Sequence, residues 1–293
     1  MFTGTYTAIV TPFKKGLLDE PALQRLIKSQ IQARVDGIVP VGTTGESPTL
    51  HFDEHIRVIQ LSVKFAARKI TVLAGTGGNS TSEAIFLTQA AEASGADGSL
   101  QVAPYYNKPT QEGLFQHFRA IARATKLPIM LYSIPGRCGI EIGVDTVKRL
   151  AKECKNIVSI KEAGGNPDRV SQLRAALPKN FTILSGDDSL TLPFMSVGAE
   201  GVVSVASNVI PREVAQMVRA FRIGKTAVAQ KLHAKFYPLF KDLFIETNPI
   251  PVKAALAMLG EIEEEYRLPM VPLSAKNRAT LRATMKTCGV LNG

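Results

Sequence analysis

Ile157-Val158-Ser159-Ile160-Lys161-Glu162-Ala163-Gly164-Gly165 is the stretch on which the reading of this chain turns. A short run rich in β-branched and apolar residues, closed by glycines, reads as a buried strand whose last side chain emerges into a loop. Lys161 stands at that strand's C-terminal end. A lysine there is either an ordinary strand-end charge that snorkels back to water, or an amine kept out of water so that it is neutral often enough to attack a carbonyl. The strand alone leaves both readings open.

Runs of the same kind recur on either side. Thr5 to Phe13 is β-branched and closes around a proline. Gly37 to Val41 discharges into Gly42-Thr43-Thr44-Gly45-Glu46-Ser47, and Ile70 to Ala74 into Gly75-Thr76-Gly77-Gly78. Gly98 to Ala103 precedes Pro104-Tyr105-Tyr106-Asn107, and Pro128 to Tyr132 precedes Ser133-Ile134-Pro135-Gly136-Arg137. Beyond Lys161 come Phe181 to Leu184 before Ser185-Gly186-Asp187-Asp188, then Gly201 to Ser204 before Val205-Ala206-Ser207-Asn208. Helical spacing fills the intervals: Leu23, Leu26, Ile27 and Ile31 within Glu20 to Ala33, then Asp53 to Ala67, Leu114 to Thr125 and Val144 to Cys154. Ser80-Thr81-Ser82-Glu83 has the form of a capping box opening another helix.

A strand, a loop and a helix repeated eight times, with strands apolar on both faces, predict an α/β fold whose parallel sheet closes into a (β/α)8 TIM barrel. An open doubly wound sheet is the alternative. Against it, no glycine-rich stretch takes the form G-x-G-x-x-G, and no single strand-to-helix turn dominates. Gly75-Thr76-Gly77-Gly78 lacks the lysine of a phosphate-binding loop and reads as a tight turn. Beyond Pro211 the pattern is helical throughout: Val214 to Phe221, Lys225 to Phe240, Val252 to Leu259 and Ala275 to Cys288. The expected division is a catalytic barrel over residues 1–224 and a C-terminal helical subdomain over 225–293.

Composition narrows the function classes. A 293-residue chain with 45% hydrophobic and 20% charged residues has ample core. Its net charge of +10 comes from scattered Lys and Arg with no dense basic block, which argues against a nucleic-acid partner and for a general attraction to anions. Cys138, Cys154 and Cys288 form no CxxC pair and no cluster with histidine, so neither a zinc site nor a disulfide framework is expected. Cys138 reads as a small apolar filler, since no histidine is placed to activate it. No segment approaches the roughly twenty apolar residues of a membrane span, and the first residues do not read as a secretion signal. A cytoplasmic location with no membrane partner is the expectation.

In a barrel the strand-end loops meet at one face, where barrel enzymes carry their chemistry. The polar residues at those ends are Thr43, Thr44, Tyr106, Tyr132, Arg137 and Lys161. Singly each has a structural reading: turn hydroxyls, a core aromatic, a surface charge. Together they combine an amine nucleophile, hydroxyls and phenols able to pass protons, and a guanidinium suited to a carboxylate.

These motifs carry a resemblance. The Gly42 to Ser47 loop, Pro104-Tyr105-Tyr106-Asn107, Leu131-Tyr132 with Pro135 and Arg137, Ile160-Lys161-Glu162-Ala163, Ser185-Gly186-Asp187-Asp188 and Asn248-Pro249-Ile250-Pro251-Val252-Lys253 closely resemble the dihydrodipicolinate synthase family, in register from Phe2 to near Leu291. The lysine strand and the Gly-x-Thr-Gly-Glu loop are shared across the pyruvate-dependent class I aldolase and N-acetylneuraminate lyase superfamily. The double threonine and Arg137 point to the synthase branch. The Arg137 loop departs from the family's usual pattern at Ser133, Gly136 and Cys138.

The resemblance implies that Lys161 forms a Schiff base with pyruvate, whose enamine attacks the aldehyde of L-aspartate 4-semialdehyde to give 4-hydroxy-tetrahydrodipicolinate on the diaminopimelate route to lysine. It implies Tyr132, Thr43 and Tyr106 as proton-handling residues, with Tyr106 reaching in from a neighbouring subunit. Thr44, Gly186 and the Val203 backbone would hold the pyruvate part, and Arg137 the acceptor's carboxylate. No metal or organic cofactor is implied. The implied assembly is a homotetramer, a dimer of dimers, inhibited by lysine at an interface through Ser47, Pro48, His55, Asn79, Glu83 and Tyr105; Phe52 stands where some regulated members have histidine. The rivals are a sister pyruvate aldolase, such as N-acetylneuraminate lyase or a keto-deoxy sugar acid aldolase, and a non-catalytic barrel that binds small acids.

Overall fold

The computed structural model describes residues 2–291. Its strands are β1 (Gly4–Ala8), β2 (Phe13–Lys14), β3 (Leu17–Leu18), β4 (Gly37–Val39), β5 (Thr71–Gly75), β6 (Gly98–Val102), β7 (Ile129–Ser133), β8 (Ile157–Glu162), β9 (Thr182–Ser185) and β10 (Gly201–Ser204). Eight of them close a barrel in the order β1-β10-β9-β8-β7-β6-β5-β4, and each paired neighbour runs parallel. The two remaining strands form a small antiparallel hairpin. This is the expected (β/α)8 barrel, and helices stand between its strands.

The barrel has two layers of buried side chains because alternate residues of a strand face opposite ways. Tyr6, Ala8, Val39, Leu73, Leu100, Met130, Tyr132, Leu184 and Val203 fill the inside. Phe2 joins them from the N-terminal end, its ring edge-on to Tyr6 at 5.9 Å. The outer layer packs Ile38, Val72, Leu131, Ile160, Ile183 and Val202 against the helices. Burial on both faces is why the strands read as unbroken apolar runs.

β8 carries an irregularity that matters for the site. Ile129 pairs with Ile157, but Met130 pairs with Ser159, so Val158 is an extra residue opposite no partner. Ile157 belongs to the outer layer, and strict alternation from it would turn Lys161 outward as well. The bulge shifts the phase by one. Ser159 then opposes the inward Met130, Ile160 the outward Leu131, and Lys161 the inward Tyr132.

The first strand stops at Ala8 rather than running on to Phe13. Past the ladder, the Val10 N–H finds its acceptor in the Asn208 side chain at 3.2 Å, and Phe13 starts the hairpin with Leu18. Helices lie at Glu20–Ala33, Phe52–Ala66, Gln111–Arg123 and Val144–Glu153, within a few residues of expectation. The Ser80 hydroxyl accepts the Glu83 N–H of the helix Thr81–Ala93, which is the N-cap half of the expected box. Short helices at Pro135–Cys138 and Thr191–Ser196 add to the expected set.

The C-terminal helices are Thr226–Asp242, Ile250–Met258 and Ala275–Thr287. Phe236, Leu239, Val252 and Leu281 from these helices belong to the same buried cluster as the barrel's outer layer. No helix among the described residues is long and apolar enough to cross a membrane.

Candidate active site

The C-terminal ends of the strands converge on two adjoining cavities. The deeper one is lined by Thr43, Thr44, Tyr132, Arg137, Lys161 and Gly186, together with Val205, Phe244 and Asn248. The outer one shares Thr43, Tyr132 and Arg137 and extends to Ser47, Pro48 and Tyr105.

Lys161 is buried, its Nζ 4.1 Å from the centre of the Tyr132 ring. It takes no part in the ion pairs formed among the described residues. Burial pushes its amine down from the ordinary lysine value to about 7; Asp188 opposes the fall and the Arg137 guanidinium adds to it. An amine so placed is substantially neutral near pH 7, as a carbonyl nucleophile must be.

Gly186 has no room for a side chain, first because of Ala163 and then because of the lysine. A Cβ there would lie 2.6 Å from the Ala163 Cβ and 3.0 Å from the Lys161 Cε. Its N–H donates to the Glu162 carbonyl at 2.7 Å, holding the β9 loop against the end of β8. On the outer face of β8, Glu162 accepts from Arg169 at 2.8 Å, which fixes the residue next to the lysine.

Tyr132 is buried beside the amine. Desolvation raises its phenol above the usual range, against the Arg137 charge and a hydrogen bond with Thr43. A phenol of that kind stays protonated and can donate a proton to a developing oxyanion or accept one in relay. Thr44 accepts a hydrogen bond from the Asn248 amide at 3.0 Å, and Arg137 donates to the Asn248 carbonyl at 3.1 Å. Asn248 thus touches both Thr44 and Arg137, which line the same cavity as Lys161.

Asp188 is buried just past the end of β9. Its carboxylate accepts from the Ser204 hydroxyl at 2.5 Å and from the N–H groups of Val205 and Ala206 at 3.0 and 2.9 Å. Burial pushes it up to about 6 against those donors. It pins the β10 loop, and so the Val205 wall of the cavity.

Not every expected residue meets in this site. Val203 lies in the barrel's inner layer and is not among the cavity-lining residues; Val205, two positions on, is. Tyr106 is 91% exposed with φ +73°, a strained setting for a tyrosine, and turns away from its own chain's cavity. Among the residues expected to hold lysine, Ser47, Pro48 and Tyr105 line the outer cavity. Asn79 donates to the Tyr105 carbonyl at 3.3 Å. Burial raises the Tyr105 phenol, and the negative charge of Glu83 adds to that. His55 sits behind the wall, its Nε2 2.8 Å from the Gly75 carbonyl, and burial holds its ring below the usual histidine range.

Cys138 also lines the outer cavity, its thiol donating to the Ala103 carbonyl at 3.2 Å; burial pushes it up to about 11, so it is no thiolate nucleophile. Asp188, Asn248 and Phe244 were not singled out from the sequence as site residues. The doubled aspartate after β9 and the Asn-Pro step were signals for two of them. Phe244 offered none. Among the described residues, no three His, Cys, Asp or Glu side chains cluster as a metal site requires.

Comparison with known proteins adds an independent line. A model of the Dihydrodipicolinate synthetase family matches residues 1–288. The 4-hydroxy-tetrahydrodipicolinate synthase of Aquifex aeolicus is 52% identical over 286 residues, 98% of this chain and 97% of that protein. The solved structure of the same enzyme from Methylacidiphilum fumariolicum superposes with a TM-score of 0.98 at 59% identity, covering 99% of this chain and 96% of the other. A structure of the Cyanidioschyzon merolae enzyme with lysine bound superposes at 0.96 with 44% identity, covering 99% of each.

Proposed function

The chain belongs to the dihydrodipicolinate synthetase family and is a lyase of the class I aldolase type, and from that premise we propose that Lys161 condenses pyruvate with L-aspartate 4-semialdehyde. The observation that carries the proposal is the unpaired, buried amine of Lys161 against the Tyr132 ring. The neutral amine adds to the pyruvate carbonyl, and loss of water leaves a protonated imine. Loss of a methyl proton to a base of the Tyr132 relay gives the enamine, whose carbon attacks the acceptor's aldehyde while Tyr132 protonates the new oxygen. Ring closure by the acceptor's own amine then expels Lys161 and returns it free. Arg137 presents two parallel N–H groups to the acceptor's carboxylate. A polyhydroxylated aldehyde, the acceptor of the sister aldolases, offers that guanidinium no such partner.

Borohydride added with pyruvate should fix a pyruvate-derived mass on the peptide containing Lys161. An adduct on another lysine, or none on folded protein, refutes the mechanism.

The outward Tyr106 supports a homo-oligomer, a dimer of dimers, in which each subunit completes its neighbour's proton relay. Exposed Phe52 and Phe86, packed edge-on at 5.9 Å, lie on the adjoining helices. We further propose that residues 225–293 act as a subdomain that closes the site through Phe244 and Asn248. Free lysine is read as an inhibitor at the outer cavity, its amine facing Glu83 and its polar end facing Ser47, Asn79 and Tyr105. Glu83→Ala should raise the lysine concentration needed for half inhibition at least about tenfold. Lysine that binds tightly without changing turnover would leave the site and remove the regulation.

A further inference from the structure

Asn248 is 4% exposed, yet its side-chain oxygen Oδ1 is buried without a hydrogen-bond partner among the described residues. Its other amide atom is committed, since Nδ2 donates to Thr44 Oγ1 at 3.0 Å. A buried amide oxygen left without a donor is destabilising, because its desolvation is not repaid. Such an atom in a cavity wall marks a place where a ligand's donor belongs.

The surroundings define that donor. Asn248 lines the Lys161 cavity, and its own carbonyl accepts the Arg137 guanidinium at 3.1 Å. A carboxylate-binding cation and an unused acceptor oxygen are therefore carried side by side on bonded partners. An α-amino acid presents the complementary pair, with its carboxylate and ammonium on one carbon. The ammonium enters a cavity that already holds Lys161 and Arg137. Asp188, whose charge acts on Lys161, is already occupied by Ser204, Val205 and Ala206. We infer that Asn248 Oδ1 accepts a hydrogen bond from the α-ammonium of the aldehyde acceptor, and that Arg137 and Asn248 together form a reader for the α-amino acid head group. This inference rests on the proposed acceptor and adds the residue that selects its amine.

The test compares the second-order rate of single-turnover carbon–carbon bond formation on the preformed pyruvate imine for L-aspartate 4-semialdehyde and for 4-oxobutanoate, the same acceptor without the amine; this step precedes ring closure and needs no amine. Any general weakening of the site cancels in the ratio. The wild-type protein should prefer the amino acid by about 10- to 100-fold, the range of a hydrogen bond to a charged group. Asn248→Ala should bring the two acceptors to within about threefold, mainly by loss of the amino acid's advantage. Asn248→Asp, which keeps an acceptor oxygen in the same place and adds a negative charge, should retain or enlarge the preference. An equal loss on both acceptors in Asn248→Ala, or a wild-type protein indifferent to the amine, overturns the inference and leaves Asn248 as a support for Thr44 and Arg137. Failure to trap an imine at Lys161, or failure of both aldehydes to react once it is trapped, overturns the proposed reaction and the inference with it.

Discussion

Two lysines have been taken out of water in this barrel, and they do opposite work. Lys161 and Lys253 are 6% and 0% exposed. Each lies over an aromatic ring, Lys161 at 4.1 Å from Tyr132 and Lys253 at 4.4 Å from Phe13. Lys253 donates to Glu46 at 2.5 Å, and the other oxygen of Glu46 accepts the Arg267 N–H at 3.2 Å. This pair ties the Gly42 to Ser47 loop to the helix Ile250–Met258. Burial lowers both amines, but at Lys253 the charge and hydrogen bond of Glu46 push back. At Lys161 the Asp188 carboxylate is bonded to the β10 loop and makes no ion pair among the described residues, so its charge offsets burial only in part, and Arg137 pushes the same way as burial. Burial alone therefore does not make a nucleophile; burial without a partner does.

The sharpest way to break this contrast is to replace each lysine with methionine. Lys161→Met should abolish the borohydride adduct and cut turnover at least about a thousandfold, since the nucleophile is gone. The same change removes an unpaired buried amine, so the thermal midpoint should hold or rise. The pH dependence has a definite sign. The folded pKa of about 7 lies below the ordinary value of 10.5, so the unfolded chain binds more protons between the two. The cost of Lys161 to stability is full below about pH 7 and is relieved as pH climbs toward 10.5. Any stability advantage of Lys161→Met should shrink over that range. A large loss of stability at neutral pH would contradict the assignment of Lys161 as unpaired.

Lys253→Met should do the reverse. It leaves Glu46 buried with one backbone donor, and urea unfolding should report a loss of about 3 kcal/mol, the scale for breaking a buried pair. The protein that remains folded should still trap pyruvate on Lys161. Unchanged stability would mean that Glu46 and Lys253 are not held as an ion pair.

The smallest expected effect tunes Lys161 from a distance. Imine formation needs the neutral amine, so its rate should climb with pH through about 7 and then level off. The negative charge of Asp188 holds the proton on Lys161. Asp188→Asn should therefore move the midpoint to lower pH, by up to about one unit. The amide can still accept from Val205 and Ala206, while its NH2 donates to Ser204 Oγ, which already accepts from Ser207. Charge is then the main change. A midpoint that stays put or rises would remove Asp188 from the account.

The fold was legible because its signal is repeated. Each strand is apolar on both faces, each is followed by a polar or glycine-rich loop, and the rhythm survives an error of two or three residues at any end. Thr5 to Phe13 shows the limit. Its residues favour a strand throughout, but the ladder ends at Ala8, where Asn208 on a distant loop takes over the backbone donor at Val10. Nothing local to the run reports that partner. Thr43, Thr44, Tyr132, Arg137 and Lys161 could be found because they stand at strand ends, which a closed barrel brings to one face; Gly186 came only through the family resemblance.

The amino-acid sequence by itself determined the barrel, the strand that carries the lysine, and the set of polar residues at the strand ends. The tertiary structure decided which way those residues face and what they touch. Lys161 points into the barrel because Val158 is an extra residue in β8, and the bulge exists only against the register of β7. Asp188 and Asn248 matter through partners 16 to 18 and 111 to 204 residues away in the chain. Local pattern encodes periodicity and composition; the phase of a strand and the absence of a counter-ion are properties of its neighbours, and those are set only when the sheet closes.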